Sequence, residues 1–376
     1  MSPIRFKLSV MMFLEFFIWG AWLPKIFGYL AFLNFTPAEQ GWILNAFALA
    51  SLAAMFFSTQ FADRNFAAEK FMAFSHLVGG LAILGLAWTT DFWQFFGLML
   101  VHCLFYVPTI SIANSIAFAN LQDAQKEFGP VRLWGTIGWI AASWPMVFLL
   151  PETAGPEASR VTFIVAGIAS LLLAGYSLAL PHTPPKPAAE GAATFAWLES
   201  VKLLRVPFVL VLFIVTFIDA AVHMCYFIYT DTYLQSIGIP SKWVMPVMSI
   251  GQVAEILTMA VLGYCLKSLG WRYTMTIGIL GHTVRFALFA LMPFPAVAIA
   301  VNMLHGVCYA FFFATVYIFV DEFFPKDARS SAQGLFNFLI LGLGPFVANF
   351  LWPFLGGMYK DAKGNVDFSQ LFLIPA

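Results

Sequence analysis

Charge is what this sequence has least of. Only 19 Lys and Arg and 19 Asp and Glu stand among 376 residues, 10% in all, where soluble domains carry about 25%. The formal net charge is zero, so no basic surplus is available for nucleic acid. Cysteine is scarcer still. Cys103, Cys225, Cys265 and Cys308 lie far apart inside apolar runs. That excludes a disulfide framework and a zinc-ligand pattern, and leaves four small buried hydrophobes. A P-loop, a serine nucleophile elbow and an HExxH pair are all missing. The chain therefore reads as no enzyme, and it hydrolyses no ATP of its own. A cleavable leader is not expected either, because the first apolar run, from about Leu8, is too long for one.

Apolar residues fill the space that charge leaves. They make up 61% of the chain, with 43 Phe and 12 Trp, and the mean hydropathy is +0.84. No soluble fold of this size could hide so much apolar surface, so lipid is the solvent. A crossing needs about 20 apolar residues. The runs predict eleven spans, near 8–33, 41–61, 71–89, 92–120, 131–150, 160–181, 206–234, 243–266, 272–292, 295–320 and 331–358. A twelfth would start at Phe368 and is too short to cross before Ala376. The Pro- and Ala-rich segment 182–200 reads as a linker. The expected architecture is an all-α membrane protein of two six-helix bundles, 1–181 and 201–376, the last helix largely missing.

Lys and Arg set the orientation. Thirteen fall in segments on the side of the N-terminus, Arg5, Lys7 and Lys202 among them, against four on the other side. The positive-inside rule then puts the N-terminus and the linker in the cytoplasm. Two short basic turns, "ADRNFAAEKF" and "LKSLGWRYTM", occupy matching places in the two halves. So do "GPVRLWGTIG" and "KDARSSAQGLF", each with an Arg at the threshold of a span. Repeated halves are the usual construction of secondary transporters.

Ionisable groups inside spans cost at least about 2.5–3.5 kcal/mol each on insertion scales, so each needs a reason. The candidates are Glu15, Lys25, Arg132, Asp219, His223, Glu255, Arg285 and His305. In "GPVRLWGTIGWI", Arg132, Thr136 and Trp139 recur at helical spacing and share one face. They read either as a polar and aromatic wall for a flat ligand or as an Arg that snorkels beside a packed Trp. Gln252 and Glu255, three apart, place an amide beside a carboxylate. That pair suits a solute with several donors and acceptors, and the carboxylate can also carry a proton. Asp219 and His223, four apart, can touch and relay a proton, or can form a satisfied structural pair. His305 and Tyr309 share a face with Phe312 and Phe313 beyond, which is as consistent with packing as with binding. Lys25 and Arg285 would pair with acids or reach the interface.

The pieces "EFFIWGAWL", "FYVPTISIANSI", "PVRLWGTIGWI", "MSIGQVAEIL", "RFALFA" and "ARSSAQGLF" run in order to about residue 340. Together they resemble the nucleoside:H⁺ symporter family of the major facilitator superfamily. The resemblance implies a major facilitator fold, alternating access and proton-coupled nucleoside uptake across a bacterial inner membrane. It implies a monomer with no cofactor beyond the coupling proton. Carried over by position, Arg132, Thr136, Trp139, Gln252, Glu255 and Tyr309 would bind the nucleoside in a polar cavity. Ala310 stands where the family carries an acid after that aromatic, and Met224 and Phe227 stand where it carries amides. Proton coupling would then rest on Glu255, or on Asp219 with His223. A sugar, a nucleobase or a drug as substrate, or a truncated homologue that does not transport, are the alternatives.

Overall fold

The computed structural model describes residues 2–57, 65–150, 156–185, 202–324, 329–362 and 364–376. The expected linker beyond residue 185, and the end of the 41–61 span beyond residue 57, lie outside them. Among the described residues every long element is helical, and extended backbone pairs in one isolated bridge, Lys360 with Val366.

Two compact units divide the chain. The first comprises 1–190 together with 241–246, and the second comprises 191–240 with 247–376. The first holds α1 (Pro3–Phe32), α2 (Pro37–Phe57), α3 (Ala68–Gly85), α4 (Phe92–Asn120), α5 (Ala124–Ala141), α6 (Trp144–Leu149) and α7 (Arg160–Ser177). Next come α8 (Pro207–Ser236) and α9 (Ser241–Leu291), followed by α10 (Pro295–Val301), α11 (Leu304–Cys308), α12 (Thr315–Phe323), α13 (Arg329–Asn337), α14 (Gly344–Met358) and α15 (Phe368–Leu371). Wider π turns, Tyr309–Ala314 and Phe338–Leu343, join α11 to α12 and α13 to α14.

The helix starts are written in local sequence. Ser2 caps α1 with Pro3 at its first position, and the Asp91 carboxylate accepts from the Gln94 amide at 3.0 Å to open α4. Thr36 and Glu39 close a reciprocal box at α2. The Thr36 amide donates to Glu39 at 2.7 Å, and the Glu39 amide donates to the Thr36 hydroxyl at 3.3 Å. Asp123 caps α5 by accepting from Lys126. This last cap revises the expected span of 131–150. The helix starts earlier, so Arg132 sits two turns inside it. It stops at Ala141, and a break at Ala142–Ser143 precedes α6.

Eight helices among the described residues are long and apolar enough to cross a membrane. This is fewer than the eleven expected. The 51-residue α9 counts once, although Gly270, at φ 77°, breaks it in the basic turn between two expected spans. Lys126, Glu127 and Arg132 make α5 too polar to count by composition.

The outside is apolar where a soluble protein would be polar. Phe148 is 83% exposed, whereas Arg285 is 0% exposed and heads the fully buried large side chains. Apolar side chains both fill the interior and cover the surface, as a lipid solvent allows, and a few charged ones are buried among them.

Small residues let the helices meet. A Cβ on Gly138 of α5 would run into the backbone of Phe13 in α1, and one on Gly306 of α11 would run into the backbone of α9 at Glu255. Gly138→Ala should therefore lower the thermal midpoint of the purified protein, costing about 1–3 kcal/mol of overpacking. Gly175→Ala, at a site with open space around it, should leave the midpoint in place. Equal midpoints for the two variants would contradict this packing.

Candidate functional site

In the first unit the expected stripe of α5 packs along α1. The Arg132 guanidinium lies 4.0 Å from the centre of the Phe16 ring, a cation–π arrangement. Trp139 meets Trp19 edge-on at 5.2 Å, and Trp19 stacks on Phe47 at 4.8 Å. Arg132, Thr136 and Trp139 are all half-buried. Their shared face thus has a cation, a hydroxyl and an indole in line, backed by aromatic rings.

In the second unit Gln252 is buried, and its Oε1 accepts no hydrogen bond from any described residue. Glu255, one turn further along α9, is half-buried. Gly251 lies against His305, and Gly306 lies against the Glu255 backbone. This close approach sets the Gln252–Glu255 turn beside α11. Tyr309 is half-buried at the start of the π turn, with its ring 6.0 Å from Phe313. Such a turn shifts the register of the helix that follows it and recurs at functional sites.

Asp219 and His223 do not pair. No hydrogen bond joins them; the Asp219 carboxylate instead faces His282 Nε2, from the second half of α9, at 3.6 Å. His223 stacks on His305 at 4.9 Å and lies 5.5 Å from His282. The centre of this cluster is Arg285, whose partners are neither acids nor headgroups. Its Nη2 donates to His282 Nδ1 at 2.7 Å and its Nη1 to His305 Nδ1 at 3.3 Å. Arginine has only donors, so both Nδ1 atoms accept and both imidazoles carry their proton on Nε2. His282 Nε2 then faces Asp219 Oδ2 at 3.6 Å without a hydrogen bond, so the ring stands between the buried Arg and Asp side chains. Tyr226 lies under the guanidinium at 4.4 Å and is fixed by its hydroxyl donating to Asn302 at 2.7 Å. Lys25 is fully buried and donates to Ser241 at 2.9 Å.

The sequence reading named Asp219, His223, Arg285 and His305 but missed His282. The signal was there, because His282 and Arg285 are three apart on one helix face. Among the described residues no cluster of His, Cys, Asp and Glu is suited to hold a metal ion.

An all-helical chain in two units, with apolar surfaces outside and paired charges inside, is a polytopic transporter of the major facilitator type. Solved structures agree on that fold. A crystal structure of the nucleoside transporter NupG superposes with a TM-score of 0.89 at 26% identity, over 100% of this chain and 96% of that one. A bacterial homologue of the lysosomal transporter Spinster superposes at 0.75 with 12% identity, over 96% and 84% of the two chains, which speaks to fold alone. Among curated proteins of Escherichia coli (strain K12), YegT is 33% identical over 350 residues, spanning 90% of this chain and 81% of its own. The xanthosine permease of that strain is 28% identical over 393 residues, 99% and 92% of the two chains. Residues 1–376 match the family described as Nucleoside H+ symporter, and the chain belongs to that family. Its members are transporters, not enzymes.

His282→Leu should leave the buried Arg285 guanidinium without one of its two imidazole acceptors. Leaving a buried donor unpaired costs about 1–3 kcal/mol, more for a charged group, so the thermal midpoint in detergent should fall. A midpoint at the wild-type value would contradict this role of the ring.

Proposed function

We propose that this chain takes up nucleosides with protons by alternating access, as a monomer in a bacterial inner membrane with its N-terminus in the cytoplasm. It needs no cofactor beyond the coupling proton. The observation that supports this reading is that the polar and aromatic residues which the family resemblance assigns to the solute are half-buried or buried on otherwise apolar helices. Arg132, Thr136 and Trp139 form one such set in the first unit, and Gln252, Glu255 and Tyr309 form another in the second. Each set offers what a nucleoside needs. An indole stacks on the base, while a guanidinium, a hydroxyl, an amide and a carboxylate hydrogen-bond to base edges and ribose hydroxyls. Xanthosine permease and NupG, the relatives noted above, are named for such solutes.

Glu255 is the first candidate for the coupling proton, because it stands beside the ligand-binding amide of Gln252. Asp219 and His223 are the second. Protonation of Asp219 would remove the counter-charge that faces Arg285 across the His282 ring, and so would couple a proton to the packing of α8, α9 and α11.

Proteoliposomes loaded at high internal pH test this. Wild-type protein should accumulate labelled uridine, and Glu255→Gln should lower both the accumulation and the affinity by about tenfold or more. Unchanged accumulation would remove Glu255 from the mechanism.

A second reading, transport of another small polar solute, draws on Met224 and Phe227. These half-buried side chains on α8 stand where amides were expected, and Phe227 lies edge-on to His305 at 5.6 Å. A competition panel separates the two readings. Unlabelled nucleosides should displace uridine and sugars should not; the reverse would move the substrate class.

A further inference from the structure

One buried acid has no part in the reading above. Glu15 of α1 is 0% exposed, and His76 of α3 is 1% exposed. The two come from helices far apart in sequence, and they meet with Glu15 Oε2 2.8 Å from His76 Nε2. The other carboxylate oxygen, Oε1, lies 2.8 Å from the Thr109 hydroxyl of α4, whose single hydrogen is shared between Oε1 and the Tyr106 carbonyl. The Tyr106 hydroxyl donates to the Glu15 backbone carbonyl at 2.7 Å and fixes the helix at that level.

We infer that Glu15 and His76 are a one-proton site of this transporter, and that the proton they share ties α1 to α3. The argument begins at the far side of the ring. The Ser170 hydroxyl of α7 donates to the His76 backbone carbonyl at 3.0 Å, and its oxygen lies 3.1 Å from His76 Nδ1. A serine hydroxyl has a single hydrogen. With that hydrogen on the carbonyl, the oxygen presents a lone pair to Nδ1, so Nδ1 carries a proton and donates it. His76 Nε2 and Glu15 Oε2 then hold one further proton between them, as an imidazolium with a carboxylate or as an imidazole with a carboxylic acid. Both forms are neutral overall, and both suit an apolar interior.

Take that proton away, with Ser170 turning its hydrogen to Nδ1 so that Nε2 donates to Glu15, and a carboxylate charge is left in the buried site. A buried charge without a countercharge is costly, so loss of the proton favours an arrangement in which the α1–α3 contact opens. A proton bound here favours one arrangement of the helices and its loss favours another, which is what a coupling site does.

Other titratable groups surround the pair. From α4 come Tyr106, whose ring centre is 6.0 Å from that of His76, and His102, which stacks on Tyr106 at 5.3 Å and hydrogen-bonds the Gly79 carbonyl. From α5 comes Arg132, held on the ring of Phe16, the neighbour of Glu15 in sequence. On α7, Arg160 and Tyr176 lie towards the helix ends, away from Ser170. Glu39 of α2 is occupied by Thr36 at the start of its helix.

The inference rests on the proton-coupled reading above, and the test separates the two. Glu15→Gln is the informative change. Its amide can donate to His76 Nε2 and its carbonyl can accept from Thr109, so a purely structural role would survive it, while the exchangeable proton is gone. Proteoliposomes bearing wild type or Glu15→Gln are compared in two assays, uridine accumulation down a proton gradient and uridine counterflow without one. The inference expects Glu15→Gln to keep counterflow and to lose accumulation, with inside and outside uridine becoming equal. Wild-type-like accumulation by Glu15→Gln overturns the inference and leaves the symport reading standing. Failure of the wild type to accumulate overturns the symport reading and the inference with it. Should Glu15→Gln yield no folded protein, Ser170→Ala decides, since it keeps the pair but removes the acceptor for Nδ1. A displaced pH profile of uptake supports the shared proton, and a profile that superimposes on wild type overturns it.

Discussion

A charge carried into the interior of a bilayer must find its compensation inside the protein, because lipid offers none. This constraint organises the molecule. Arg285, fully buried, is answered by two imidazoles, two aromatic faces and, across one imidazole, by Asp219. Glu15, equally buried, is answered by His76 and Thr109. In both clusters histidine mediates, since it alone can donate on one side, accept on the other and change charge near neutral pH. Apolar side chains cover the outside as well as filling the interior, and the helices approach closely at glycines such as Gly138 on Phe13 and Gly306 on Glu255.

Compensation of this kind suits transport better than stability. A buried ion pair adds little net stability over a well-packed apolar contact, whereas removing one partner is costly. A site that binds or releases a proton therefore has leverage over the helices that hold it. Asp219, His282, Arg285 and His305 link α8, α9 and α11, and Glu15, His76, Thr109 and Ser170 link α1, α3, α4 and α7. Each unit thus carries its own buried polar linkage between helices.

Much of this was legible in the sequence, for reasons that can be stated. Scarce charge and long apolar runs identify lipid as the solvent. The few ionisable residues within those runs stand out, so Glu15, Asp219, His223, Arg285 and His305 were found before any coordinates. The break at Gly270 was legible as the basic turn "LKSLGWRYTM". Their partners were harder to find. His76 meets Glu15 across 61 positions, and nothing in the local sequence of either points to the other. Asp219 and His223 have the right spacing for a contact, yet packing turned the acid to His282 on another helix. Periodicity says which residues share a face; only tertiary packing says what that face meets. The start of α5 was misplaced because the cap at Asp123 lies outside the apolar run.

The central claim is that protons and nucleoside cross together. It is tested most directly with wild-type proteoliposomes that enclose a pH dye, with no proton gradient imposed and the membrane potential clamped. Adding a nucleoside outside should acidify the lumen at once, in proportion to the nucleoside that enters, and a protonophore should abolish the signal. Entry of labelled nucleoside with no change in internal pH would contradict the account.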